Sequence, residues 1–240
     1  LREDLMEKKY ILVKNNKEYT FEKYTDAVFQ EQTSIQSLFN GSILKRCEMK
    51  NSDFSKSDFE GTIWNDVLID NCFFKSCDIK SSIITDCKFV NCDFSLSVVN
   101  DTAFKNCSFI DCFFTESIMN QNTFTDCSLI NITLDAATIT LSKFENCNIE
   151  SLVLGNCSFY DHIMIKCNFR EVTINIDSIG RIYGLTMEDL QKFKYIFLGT
   201  TYGFAPNIFF YQIDKVFASK EWQLQKSIYL FNTDKLNTYD

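Results

Sequence analysis

The sequence predicts an all-β solenoid over most of its length. Three observations predict it: a large apolar residue at every fifth position, one row of the repeat that holds every cysteine, and a single proline in 240 residues. Stepping by five from Phe39 gives Leu44, Met49, Phe54, Phe59, Trp64, Ile69, Phe74 and onward to Ile174. These are 28 consecutive positions without a polar residue or a slip. A period held this long is the mark of stacked repeat units, none of which can bury its apolar side alone.

The period also fixes which side chains face inward. The large residue is the centre of each unit, and two residues before it stands a small one, as in Ser42, Cys47, Ser52, Ser57 and Thr62. All eleven cysteines (Cys47, Cys72, Cys77, Cys87, Cys92, Cys107, Cys112, Cys127, Cys147, Cys157 and Cys167) fall in that row. A residue type confined to one phase of a repeat is there to pack, and free cysteine behaves as a small, readily buried hydrophobe. Centre and small residue therefore point inward, and the residues flanking the centre point outward. Pro206, the one proline, lies beyond the repeat, where no ladder needs its missing amide.

Units such as Cys77-Asp78-Ile79-Lys80-Ser81 and Cys92-Asp93-Phe94-Ser95-Leu96 resemble the pentapeptide-repeat family, whose unit reads A(D/N)LXX. The resemblance covers about 140 residues and implies a right-handed quadrilateral β-helix, one unit per face and four per coil. The 28 units then make about seven coils, a rod on the order of 35 Å long at the ~4.8 Å strand spacing. Residues 20 apart are stacked. Phe54, Phe74, Phe94 and Phe114 form one interior column, and Cys87, Cys107, Cys127, Cys147 and Cys167 form another. Late in the repeat the small residue grows to Ile132, Leu152 and Val172 while the centres shrink to Leu134, Leu154 and Ile174. Such a trade keeps interior volume nearly constant.

The ends differ from the repeat. Residues 1–36 begin polar and helix-like, continue through the apolar run Tyr10-Ile11-Leu12-Val13, and read as an N-terminal cap. Residues 37–176 are the β-helix. Residues 177–240 read as a small helical cap and a possible dimerisation region. Thr186-Met187-Glu188-Asp189 has the form of a capping box. Leu190, Phe193 and Phe197 follow at helical spacing, and Pro206 opens a segment that carries Ile208, Phe209 and Tyr211.

Function classes narrow by exclusion. The net charge is −8, and residues 37–176 carry eleven bases against eighteen acids, which disfavours a direct nucleic-acid ligand. No apolar run approaches the ~20 residues of a membrane helix. Eleven unpaired thiols point to a reducing compartment, hence the cytoplasm. A linear, buried thiol column does not offer the tetrahedral set that zinc needs, so no metal or cofactor is expected. His162, the only histidine, and Asn122 occupy inward small positions and read as hydrogen-bonded core groups. With no nucleophile paired to a base, the chain reads as a non-enzyme.

The outer surface is what remains. Asp66, Asn71, Asp86, Asn91 and their equivalents recur at the corners, where short polar side chains favour turns. Asp53, Asp58, Asp78 and Asp93 precede their centres and are read as an exposed acidic surface. Phe73, Val90, Ile110, Phe113, Ile130, Val153, Ile63 and Ile83 are outward apolar positions and the candidate protein-contact surface. The sequence is therefore read as a protein-interaction scaffold with an unidentified protein partner. The family resemblance implies an alternative, a DNA mimic that modulates DNA gyrase or topoisomerase IV and protects them from quinolone-type poisons.

Overall fold

The structure, a computed structural model, describes residues 7–14, 17–154, 157–175, 182–184, 189, 195–198 and 209–211. Short strands stack in parallel at a repeat of 20 residues, so that Lys88-Phe89-Val90 pairs with Ser108-Phe109-Ile110, and that strand with Ser128-Leu129-Ile130. Four faces wind about one interior. The first is a sheet running from Lys17–Thr25 through Ile43–Lys45 and Ile63–Asn65 to Ile182–Tyr183, and the second runs from Val28–Gln30 to Asn168–Arg170. The fourth carries the strands from Asp78–Lys80 to Ser158–Tyr160. Most of the third is held by single bridges, Thr33 to Asp53 to Phe73 to Asp93 to Phe113 to Thr133.

The reason for the corners lies in the backbone. From Asp26 to Glu171, each described residue two places after a centre has positive φ, between 49° and 62° for the non-glycine residues. Only glycine, asparagine and aspartate enter that left-handed region cheaply. That is why Asp66, Asn71, Asp86, Asn91, Asp101 and Asn106 recur there, with Gly41 and Gly61 at two of the corners. On the third face the chain turns more tightly still. The amides of Ser57, Cys77, Ser97 and Ser117 donate to the carbonyls of Phe54, Phe74, Phe94 and Phe114, three residues back. Between coils, amides such as Asn91 N to Ile110 O (3.0 Å) and Ser108 N to Cys87 O (3.0 Å) continue the ladder around each bend.

The interior is built from the two predicted rows. Each described centre from Phe39 to Phe169 is buried, and so is each described small residue from Ser42 to Val172. Phe54, Phe74, Phe94 and Phe114 form a stack with ring centroids 5.4, 5.0 and 4.9 Å apart. Phe104, Phe124 and Phe144 form a second, at 4.8 Å for both steps. The cysteine thiols donate to carbonyls of the neighbouring coil, Cys107 to Ile84 and Cys147 to Phe124, and all eleven are free.

The volume trade is incomplete. An apolar cavity of about 40 Å³ lies in the later coils, lined by residues that include Phe109, Leu129, Ile132, Leu134, Ile149 and Leu152. At Leu134 the loss of a ring is offset by Ile132. At Leu129 the small partner is still Cys127, so nothing replaces the ring that Phe109 supplies one coil earlier.

At the N-terminal end, strand β1 (Glu7–Lys14) and strand β2 (Lys17–Thr25) form an antiparallel hairpin, where the sequence read a polar, helix-like start and one short strand. β2 continues directly into the first face by pairing with Ile43–Lys45. Ser34 interrupts the centre row here, yet the coil geometry already holds, with left-handed corners at Asp26, Glu31 and Gln36. At the C-terminal end, Tyr195–Leu198 pairs in parallel with Thr173–Asn175 and antiparallel with Phe209–Tyr211. Phe197, Phe209 and Tyr211, read as parts of helical segments, are therefore in strands. Asp189 is helical, and the rest of the helical reading of 177–240 lies outside the described residues.

Candidate functional site

The inward groups are occupied by packing and hydrogen bonding. His162 is fully buried against Phe159, with ring centroids 3.9 Å apart and planes tilted by 39°. Its Nδ1 accepts from the amide of Ser142 (3.2 Å) and its Nε2 donates to the carbonyl of Ile139 (3.1 Å), a neutral tautomer. Burial lowers its pKa to about 4, against the pull of those backbone contacts. Asn122 is used likewise: its amide nitrogen donates to Val99 O and its Oδ1 accepts from Thr102 N. Burial raises the thiols, Cys72 to about 11 and Cys77 and Cys157 to about 12, which leaves them protonated and unreactive at neutral pH. Among the described residues no three His, Cys, Asp or Glu side chains converge as a metal-ion set.

The acidic reading changes on inspection. Asp53, Asp58 and Asp93 are half-buried, while the Asp78 side chain is 45% exposed. Asp53, Asp58 and Asp93 accept from the amides of Ser55, Glu60 and Ser95, each at 2.9 Å, and so tie down the next turn. Asp78 pairs with Lys80 and Asp93 with Lys75, both at 2.9 Å. Burial alone would raise the Asp93 carboxyl; the Ser95 and Lys75 hydrogen bonds overcome it and hold it below the usual range. Corner carboxylates are also engaged between coils: Asp86 accepts from Asn106 (2.7 Å), Asp111 from Asn131 (2.5 Å) and Asp126 from Asn146 (2.5 Å).

The eight apolar candidates do not form one patch. Val90, Ile110 and Ile130 stack in register on the second face as a half-buried ladder. Phe73 and Phe113 lie round the next corner on the third face, 44% and 45% exposed, with Asp93 between them. The Lys75 ammonium sits 5.5 Å from the Phe73 ring centre, a cation–π contact that partly covers it. Ile63 and Ile83 pair with each other on the first face, apart from the rest. Val153 is in the strand Val153–Leu154, but its side chain lies outside the described residues.

Two residues that the sequence reading missed break a local rule twice. Leu96 and Leu141 occupy left-handed corners (φ 62° and 52°) and are 54% and 58% exposed. A left-handed leucine costs roughly 1–2 kcal/mol, and its exposure recovers none of that. The signal was available in the corner row, where Leu96 and Leu141 are the two large apolar side chains.

A family model described as pentapeptide repeats matches the chain at residues 25–63, with eight copies. The same unit, with a left-handed corner every fifth residue, continues to Glu171. The chain carries pentapeptide repeats. Similar solved structures include full-length QnrB1, a plasmid-mediated fluoroquinolone resistance protein, at 13% identity over 61% of this chain and 86% of that one, with a TM-score of 0.48. Another is HetL, a pentapeptide-repeat protein involved in heterocyst differentiation regulation from the cyanobacterium Nostoc sp. strain PCC 7120, at 10% identity over 66% and 77% of the two chains, with a TM-score of 0.41. No curated protein sequence matches the chain. Among the described residues no helix is long and apolar enough to cross a membrane.

Proposed function

We propose that this pentapeptide-repeat protein is a non-catalytic scaffold that binds another protein through its outer surface. The observation that carries the reading is the Val90–Ile110–Ile130 ladder, three aliphatic side chains on three successive coils with Phe113 beside it. A rigid parallel stack holds such side chains in fixed register, so a partner meets a preformed apolar strip and little ordering entropy is lost on binding. The thiols, His162 and the interior carry no role beyond packing in this reading. The test is capture with the full chain and with an Ile110→Lys/Ile130→Lys variant as baits. Both positions face outward, so the variant should melt like the parent. The reading predicts proteins retained by the parent and lost by the variant; identical retention, or none above an inert bait, overturns it.

Modulation of DNA gyrase or topoisomerase IV by charge mimicry is the second reading. It draws support from the excess of acids over bases in the rod, eighteen to eleven across residues 37–176. Mimicry of a duplex needs a run of unneutralised carboxylates, whereas Lys50–Glu48, Lys75–Asp93, Lys80–Asp78 and Lys143–Glu145 pairs interrupt the surface. A supercoiling assay with and without a quinolone decides it: inhibition or rescue by the chain supports mimicry, and neither effect removes it.

A further inference from the structure

Five cysteines stand one above another inside the rod. Cys87, Cys107, Cys127, Cys147 and Cys167 occupy the same place on successive coils, each just before a strand of the second face. The carbonyls of the first four accept from the amides of Ser108, Ser128, Asn148 and Asn168 at 2.8–3.0 Å, which fixes each cysteine backbone against the next coil. All five are buried and free. The Cys127 thiol has those of Cys107 and Cys147 as its side-chain neighbours. A shorter run, Cys72, Cys92 and Cys112, is held in the same way on the third face, bounded by Ser52 and Ile132. The other three cysteines have no cysteine on an adjacent coil. Val67 separates Cys47 from Cys87, Cys77 lies between Ser57 and Ser97, and Cys157 follows Ala137.

Such a column brings no three ligands together, but a two-coordinate ion needs only two thiolates facing each other across it. Successive sulfurs are one strand spacing apart, ~4.8 Å. An ion midway would make two collinear bonds of ~2.4 Å, close to the ~2.3 Å of a zinc–thiolate bond. Soft closed-shell ions prefer sulfur, and net charge selects among them. Two thiolates around a monovalent copper or silver ion leave a negative charge in an apolar core, which is costly to bury. Around a divalent mercuric ion they form a neutral unit.

We propose that pairs of stacked cysteines bind the mercuric ion between coils, two ions in the Cys87–Cys167 column and one in the Cys72–Cys112 run. Each ion exchanges two S–H bonds for two S–Hg bonds and releases both protons, with no change of oxidation state. A sulfur serves one ion, because a thiolate joined to two metals is bent at sulfur while the column runs straight. Five stacked sulfurs therefore hold two ions, and three hold one. The protons given up make only weak hydrogen bonds, to the carbonyls of Ile84, Phe104, Phe124 and Phe144 among others, at 3.3–3.5 Å. Each bound ion cross-links two coils that the backbone ladder already holds at the required distance. Entry is slow, since the thiols are reached only when coils part. Cys167 opens first, being 8% exposed against 1–2% for the other four.

The full chain is equilibrated with the mercuric ion supplied as its bis-glutathione complex, from which a single thiol gains nothing, then desalted and weighed by native mass spectrometry. Three ions per chain are expected, with two sulfurs per mercury in X-ray absorption. The melting midpoint should rise by about 5–10 °C, the effect of a ligand near 100 times its dissociation constant. Cys107→Ser/Cys147→Ser leaves no adjacent pair in the long column, so the count should fall from three to one. Serine already fills this row, buried, at Ser52 and Ser82, so the variant should fold. Cys47→Ser/Cys157→Ser also removes two thiols and should still bind three ions. Equal counts in the two variants would mean that thiols act singly, and overturn the pairing. A midpoint lowered by the ion would mean that the unfolded chain binds it better, and overturn the site. Neither result bears on the scaffold reading, which concerns the outer surface alone.

Discussion

The incomplete volume trade can be tested by restoring the ring at Leu129. Phe89 and Phe109 stack one coil apart with centroids 4.6 Å apart and planes 3° from parallel, and Leu129 comes next in the same column. Its small partner is Cys127, as Cys107 is for Phe109, so a phenylalanine there would have the same small partner as in the coil before. Leu129→Phe should fill the 40 Å³ cavity. At ~24 cal/mol per Å³ of cavity that is about 1 kcal/mol, and continuing the ring stack adds ~0.5–1.5 kcal/mol. Residual overpacking subtracts from this, so the net expectation is about 1 kcal/mol of stabilisation. Leu134→Phe is the control. Ile132 already occupies the space its ring would need, so overpacking of ~1–3 kcal/mol should cancel or exceed the gain. Urea unfolding of the three chains, compared at the midpoint with the slopes checked for equality, measures both. If Leu129→Phe destabilises by as much as Leu134→Phe, the cavity is not the consequence of an uncompensated column and the argument fails.

Two further predictions concern buried groups. His162 has a folded pKa of about 4 against 6.5 unfolded, so its neutral form contributes stability in full above pH 6.5, and that contribution is lost as pH falls from there through 4. The loss amounts to about 3 kcal/mol, and urea midpoints at pH 7 and pH 4.5 should differ by clearly less for His162→Ser than for the parent. An unchanged pH dependence would place the titrating group elsewhere. Cys72, Cys77 and Cys157, raised to about 11–12 and buried, should react with a chromogenic thiol reagent at pH 8 only as fast as the chain opens, and at once in denaturant. Fast labelling of the folded chain would contradict the packing role.

What could be read from the sequence was what recurs. Phe54, Phe74, Phe94 and Phe114, and the cysteine column from Cys87 to Cys167, were legible because a β-helix forces residues 20 apart into contact, and contact imposes matching volumes. The same logic misjudged Asp53 and Asp93. Their side chains project from the outer row, but the turn three residues wide on that face brings the amides of Ser55 and Ser95 within reach, a local bond that periodicity does not report. Leu129 was missed for a related reason: a volume balance drawn for one column at Leu134 and Ile132 was extended to the whole interior. Seven of the eight apolar positions flank a buried centre and are half-buried or exposed, the side chain of Val153 lying outside the described residues, yet sequence distance alone could not divide them between the first face and the corner of the second and third.

The corner row shows what the fold itself selects. A left-handed corner favours Asp, Asn or Gly, and most corners comply, with Asn106, Asn131 and Asn146 also binding the carboxylate one coil below. Residues that serve the fold thus satisfy both backbone and neighbour. Leu96 satisfies neither: its backbone is strained and its side chain contributes little burial.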